Sequence, residues 1–253
     1  MEHSQIHTET NELERRWASQ AKLLNHMYAG RDARSVLEHV LSQQFDGEVA
    51  LVSSFGADSS VLLHMVSQID PKTPVLFVDT GKLFGETNLY RTQLVEQLGL
   101  LDVRAITPKV DDLTEKDPKG ALWAENTDAC CHIRKVVPLA NALSGFSAWI
   151  SGRKRFQAVT RSDLDFFEVE EGRIKVNPLA NWTASQVLAY AKDNGLPPHP
   201  LVAEGYPSVG CMPCTDKVAS GEDPRAGRWR GQDKTECGIH FSSASTGGAA
   251  HSI

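Results

Sequence analysis

No apolar run in this 253-residue sequence approaches the roughly 18 residues that would span a bilayer. The first residues are polar, with Glu2, His3, Glu9, Glu12 and Glu14, so the sequence predicts no export signal and no membrane association. It also carries no internal repeat. Basic residues are in deficit: 26 Lys and Arg against 32 Asp and Glu give a formal net charge of −6. That balance argues against a protein that coats nucleic acid and leaves only a local basic patch open. A disulfide framework is also disfavoured. Of the five cysteines, Cys130 and Cys131 are adjacent, and consecutive Cα atoms stand about 3.8 Å apart where a disulfide wants about 5.5 Å and converging Cβ vectors. Reduced thiols without an export signal point to the cytoplasm.

With 41% hydrophobic and 23% charged residues, what remains is an ordinary globular composition, long enough for one large α/β domain. The expected organisation is a helical segment at 1–47 packed on the main domain, an α/β domain at 48–220 and a flexible tail at 221–253. Residues 1 to about 10 look disordered. Leu13, Trp17, Leu23, Leu24, Met27 and, after Gly30-Arg31, Val36, Leu37, Val40 and Leu41 then recur at near-helical spacing, as two helices. From Val49 the period changes. Val49–Val52 and Val75–Val78 are short apolar runs of the buried-strand kind, and Val103–Ile106 and Ala148–Ser151 read as the third and fourth strands, with helical patterns between them. Residues 166–170 and 174–176 read as a hairpin. Thr183 reads as the cap of a helix ending near Asn194-Gly195. The charged stretch from Pro108 to Ala129 shows no apolar period and reads as a surface excursion. The alternation predicts a mainly parallel sheet with helices on both faces, whose ligands gather beyond the carboxyl ends of the strands.

Three loops fall at those ends: Ser53–Ser60, Asp79–Gly81 and Gly152–Arg155. Ser53, Ser54, Phe55, Gly56, Ala57, Asp58 and Ser59 join a strand to a helix, so backbone N–H groups and the positive helix end could hold a phosphate there. No Gly-Lys-Ser/Thr follows the first glycine at the Walker spacing. Asp79, Thr80 and Gly81 on the next strand strengthen the nucleotide reading. Basic residues cluster at Arg134-Lys135, Arg153-Lys154-Arg155, Arg161, Arg225 and Arg228-Trp229-Arg230, which suggests recognition of phosphate or sulfate.

Two thiolates from Cys130 and Cys131 and two from Cys211 and Cys214 would make a four-thiolate site, suited to zinc or to an iron–sulfur cluster. Spacing does not decide between them. Cys237 is left over, three residues before His240 and just after several arginines, the surroundings that lower a thiol's pKa and raise its reactivity.

From Glu48 to Phe241 the chain resembles the assimilatory adenylyl-sulfate (APS) reductases of the phosphoadenylyl-sulfate (PAPS) reductase family. The resemblance rests on Ser54-Phe55-Gly56-Ala57-Asp58, Val78-Asp79-Thr80-Gly81, Cys130-Cys131 with Arg134-Lys135, the Cys211/Cys214 pair, and Glu236-Cys237-Gly238-Ile239-His240. Phe55 departs from the glycine of related ATP pyrophosphatases and counts against ATP cleavage. The resemblance implies an adenine-nucleotide alpha hydrolase-like fold and a thioredoxin-dependent reduction of APS to sulfite and AMP, for cysteine biosynthesis, through an S-sulfocysteine on Cys237. It further implies a [4Fe–4S] cluster on Cys130, Cys131, Cys211 and Cys214. Lys135, Arg225, Arg228 and His240 would surround the phosphosulfate. Arg161, with the three loops including Gly152 and Arg153, would bind the nucleotide. A PAPS reductase and, more distantly, an ATP-dependent tRNA thiolase are the alternatives, and a homo-oligomer stays open.

Overall fold

The computed structural model of the protein describes residues 2–45 and 47–240. Strands β1 (Val49–Ser53), β2 (Val75–Val78), β3 (Val103–Ile106), β4 (Ala148–Ile150), β5 (Phe167–Glu170) and β6 (Arg173–Val176) form one sheet of order β3-β2-β1-β4-β6-β5. Every neighbouring pair is parallel except β5–β6, the expected hairpin. Its two-residue turn places Glu171 (φ 49°) and Gly172 (φ 72°) in the left-handed region, as the twist of a tight hairpin demands.

β1, β2 and β4 read as nearly unbroken apolar runs because both their faces are covered, whereas β3, at the edge, carries Arg104 and is only partly buried. On one face Leu51, Val75, Phe77 and Ile150 join the main core with Val61 and Leu63. On the other, Ala50, Leu76 and Trp149 pack against Leu139 and Leu143. Burying each such side chain is worth about 1.5–3 kcal/mol, so these two layers fix the sheet.

The helices run α1 (Glu2–Met27), α2 (Ala33–His39), α3 (Ser59–Ser67), α4 (Gly85–Leu98), α5 (Val110–Lys116), α6 (Leu122–Glu125), α7 (Thr127–Cys131), α8 (Val137–Ala142), α9 (Ala184–Asp193) and α10 (Pro200–Ala203). The expected disorder at the start is corrected: α1 is helical from Glu2. The stretch at 108–129 is likewise three short helices, and α5 buries no residue, which is why no apolar period marks it. Thr183 caps α9 through a reciprocal box: Thr183 N–H donates to Gln186 Oε1 at 2.8 Å and Gln186 N–H donates to Thr183 Oγ1 at 3.2 Å.

Residues 221–240 lie against the domain. Thr215 and Arg228 form an antiparallel bridge, and Asp216 N–H donates to the Gly227 carbonyl at 2.8 Å. A Cβ on Gly227 would stand 2.1 Å from the Asp216 carbonyl oxygen, so only glycine lets the two strands of chain pass.

Candidate active site

The helix that carries the adjacent cysteines is not uniform. α7 starts with Asn126 Oδ1 accepting from Ala129 N–H at 2.9 Å, and ends at Cys131. A π-turn follows over His132–Val136, and α8 resumes with Pro138 in its first turn. Pro138 has no N–H for the carbonyl four residues back, and its ring needs room against that turn. The wider turn supplies the room and aims Lys135 at the cysteines.

Cys130 and Cys131 from α7 line one cavity together with Cys211 and Cys214, which flank a single 3-10 turn at Met212–Cys214. All four are buried. Thr80 Oγ1 lies 3.3 Å from Cys211 Sγ. The Thr80 carbonyl accepts from Arg134 Nη1 at 2.8 Å, and Arg134 is fixed by the buried Asp117, with Nη2 to Oδ2 at 2.6 Å. Burial pushes the Cys130 and Cys214 thiols up, since it penalises the thiolate; Arg134 opposes the rise at Cys130. Among the described residues, no three His, Cys, Asp or Glu side chains converge as ligands of one metal ion would. The four cysteines line one cavity, a set of thiol donors that could hold an iron–sulfur cluster.

Cys237 borders this cavity, half-buried. Its sulfur is hydrogen-bonded to Cys131, and Lys135, the Ile239 N–H and Arg228 also face it; together they hold its pKa well below the ordinary thiol value against the cost of burial. Besides Cys131, the Lys135 ammonium, the Ile239 N–H and the Arg228 guanidinium each favour the thiolate. Lys135 in turn keeps its proton more firmly than a free lysine: burial works against the charge, and Cys237, Cys211 and Cys131 outweigh it. Arg228 Nη1 donates to the Val209 carbonyl at 3.2 Å, and its guanidinium stacks 4.5 Å from the centre of the buried Trp229 ring. Its Nε is buried without a partner. A Cβ on Gly210 would meet Arg228 Nη2 at 2.2 Å, so Gly210 clears the space in which this cation lies.

The segment around Cys237 is tied down at several points. Thr127 Oγ1 donates to Gln232 Oε1 at 2.6 Å, and Lys234 pairs with Asp128. Glu236, 4% exposed, takes two bonds from Arg161 at 2.6 Å each and lies 3.7 Å from Arg225. Arg225 also donates to the Thr235 carbonyl at 3.0 Å, and burial beside Arg161 lowers its pKa to about 10. Arg161 Nη1 donates to Gln157 Oε1 at 2.6 Å, and Gln157 Nε2 donates to Asp58 Oδ2 at 3.1 Å. One hydrogen-bonded chain thus runs from Asp58, at the head of α3, to Glu236.

The expected nucleotide loops do lie together. Asp58 accepts from Lys154 Nζ at 3.3 Å, joining the loops after β1 and β4. Ser54 is exposed, whereas Ser53 Oγ accepts from Phe55 N–H at 3.2 Å. Phe55 holds φ 48° with its ring in the core, 5.4 Å from Phe77 edge to face, so it offers the loop only backbone. Asp79 Oδ1 accepts from Gly81 N–H at 3.0 Å, shaping the turn after β2. Several expected anion binders are already engaged: Arg134 by Asp117, Arg153 by Glu168 and Asn177, Lys154 by Asp58, and Arg230 by Glu222. Lys135 and Arg228 are the cations turned towards Cys237. The side chain of His240 lies outside the described residues. The sequence reading assigned no role to Glu236 or Gly210. A lone acid between Lys234 and the reactive cysteine, in a segment rich in arginine, was the available signal for Glu236.

Residues 48–217 match the family model described as the phosphoadenosine phosphosulfate reductase domain. The chain is 50% identical over 225 residues to an adenosine 5'-phosphosulfate reductase of Mesorhizobium japonicum, covering 89% of each chain. It is 49% identical over 219 residues to one from a Chelativorans species, covering 86% of this chain and 89% of the relative. Among solved structures, a Candida auris phosphoadenylyl-sulfate reductase in a phosphate complex superposes with a TM-score of 0.67 at 27% identity, covering 78% of this chain and 96% of that one.

Proposed function

The chain belongs to the phosphoadenosine phosphosulfate reductase family, and from that premise we propose that it reduces adenylyl sulfate to sulfite and AMP with thioredoxin as reductant. The observation that carries the reading is Cys237, set beside Lys135 and Arg228 at the rim of a cavity ringed by four cysteines.

The Cys237 thiolate attacks the sulfur of adenylyl sulfate. A sulfur–sulfur bond forms, the bond from sulfur to the phosphate oxygen breaks, and AMP leaves with that electron pair. Cys237 is then an S-sulfocysteine. Thioredoxin supplies a thiolate that takes up the Cys237 sulfur, sulfite departs, and a second thioredoxin thiol resolves the mixed disulfide. Both substrate and nucleophile are anionic, so fixed cations are needed between them. Lys135 and Arg228 supply that charge, with His240 completing the set, while Arg225 is engaged by Glu236 and the Thr235 carbonyl. The loops Ser53–Ser59, Asp79–Gly81 and Gly152-Arg153 take the nucleotide, while Arg161, expected beside them, is held by Glu236 and Gln157. Asp58, held by Lys154 and Gln157, gives the first loop a fixed shape.

Cys130, Cys131, Cys211 and Cys214 would hold a [4Fe–4S] cluster, which when bound supplies fixed charge beside Lys135. The tail from residue 221 would release Cys237 to thioredoxin after the first step. The five cysteines, all free, suit a reducing compartment, the cytoplasm. Among the described residues no helix is long and apolar enough to cross a membrane.

The test is peptide mass spectrometry after mixing anaerobically reduced protein with adenylyl sulfate alone. A sulfonate-sized adduct on the Cys237 peptide is expected, absent in Cys237→Ser and removed by thioredoxin. No adduct from adenylyl sulfate or from its 3′-phosphorylated form would overturn the reading.

A further inference from the structure

Cys237 sits on a segment whose regular structure, among the described residues, is limited to the 3-10 turn Gly238–His240. Side chains must therefore set its position. Two of the ties are weak. The Lys234–Asp128 pair has Asp128 83% exposed, and Thr127 reaches Gln232 at an exposed position; contacts of this kind contribute little. Glu236 differs in kind. Its side chain is 5% exposed and both oxygens are gripped by Arg161, a planar two-pronged geometry that tolerates little rotation or slip. Thr160 Oγ1 adds a contact to Oε1 at 3.3 Å. Arg161 is not free to follow the tail, because Gln157 holds its remaining nitrogen and is itself bonded to Asp58. The residue next to the nucleophile is thus referenced, through three side chains, to the loop proposed to seat the nucleotide.

We propose that Glu236 is a positioning residue for the first chemical step: the Arg161–Glu236 pair registers Cys237 against the nucleotide loop, so that the thiolate meets the sulfur of a substrate seated there. Glu236 itself touches no substrate. A carboxylate at this place would repel a phosphosulfate, and Arg161 and Arg225 neutralise it, leaving Lys135 and Arg228 to face the incoming anion. The inference rests on the reading of Cys237 as the nucleophile.

The experiment is single-turnover formation of the Cys237 adduct at saturating adenylyl sulfate, with substrate affinity measured separately in a Cys237→Ser background. Glu236→Gln keeps the shape and removes the charge; a displacement of the thiolate by about 1 Å is expected to slow adduct formation by about 100-fold while affinity stays the same. Glu236→Asp, which retains the charge, should recover part of the rate. Adding Arg161→Gln to Glu236→Gln should cost no further rate, because the two act as one unit. Adduct formation in Glu236→Gln at the unmodified rate, or a loss confined to affinity with Glu236→Asp no better, would overturn the inference alone. Absence of an adduct in the unmodified protein would overturn it together with the reading beneath it.

Discussion

Arg161 and Glu236, 75 residues apart in sequence, meet in a buried two-pronged ion pair at 2.6 Å on each prong. Burial raises the Glu236 carboxyl's pKa, and Arg161, with Arg225 and Thr160, more than reverses the rise, so the group stays below its ordinary value of 4.5. A depressed carboxylate stabilises the docked form fully above the free value and loses that contribution as pH falls through the docked one. Docking of residues 227–240 is therefore expected to hold at pH 6–8 and to weaken below about pH 4.5. The fluorescence of the buried Trp229 or hydrogen exchange of that segment would read it. Glu236→Gln should remove this acid-side dependence, and a transition unchanged in that variant would contradict the assignment.

The centre of the sheet was legible because β1, β2 and β4 are apolar without alternation, as a doubly covered parallel sheet requires, and β5 and β6 were legible as a hairpin around Glu171-Gly172. The helix at Thr183 was legible through its capping box. What the sequence did not show was pairing. Arg134, Arg153 and Arg161 look alike along the chain, and only packing separates the arginine that secures Asp117 from the one that holds Glu236. Gly210 has no local signature either, since its requirement comes from Arg228, eighteen positions on.

That requirement gives a second prediction. Gly210→Ala places a methyl group where the Arg228 guanidinium lies. The long side chain can swing away, so the fold should survive while the cation leaves the site. Turnover should fall about as far as in Arg228→Ala, roughly 10-fold to 1000-fold, and the double variant should be no worse than either single one. A Gly210→Ala enzyme of full activity would show that Arg228 works from another position.

Phe55 provides a third. Its φ of 48° is costly for a residue with a bulky side chain, yet its ring fills the core beside Phe77. Phe55→Gly relieves about 1–3 kcal/mol of strain and opens a cavity worth about 3–5 kcal/mol. The net expectation is a loss of about 2 kcal/mol, visible as a lowered urea midpoint with an unchanged slope. A gain in stability would mean that strain outweighs packing here.

A fourth concerns the cysteine cavity. Anaerobic reconstitution with iron and sulfide should give a coloured protein, and replacing any one of Cys130, Cys131, Cys211 or Cys214 by serine should leave it unable to retain the colour. A colourless protein with one tightly held zinc would instead assign the cavity to a single ion.

The apolar residues around Cys211, Cys214 and Trp229 form a cluster apart from the two layers that secure the sheet, meeting the larger one at Leu83. Damage to the thiols need not disturb the layers. A preparation handled in air can therefore keep the circular dichroism of a sound α/β protein after its reactive sulfurs have been oxidised. For this molecule, circular dichroism reports on the sheet and not on the cysteines, and a thiol count is the measure of a usable sample.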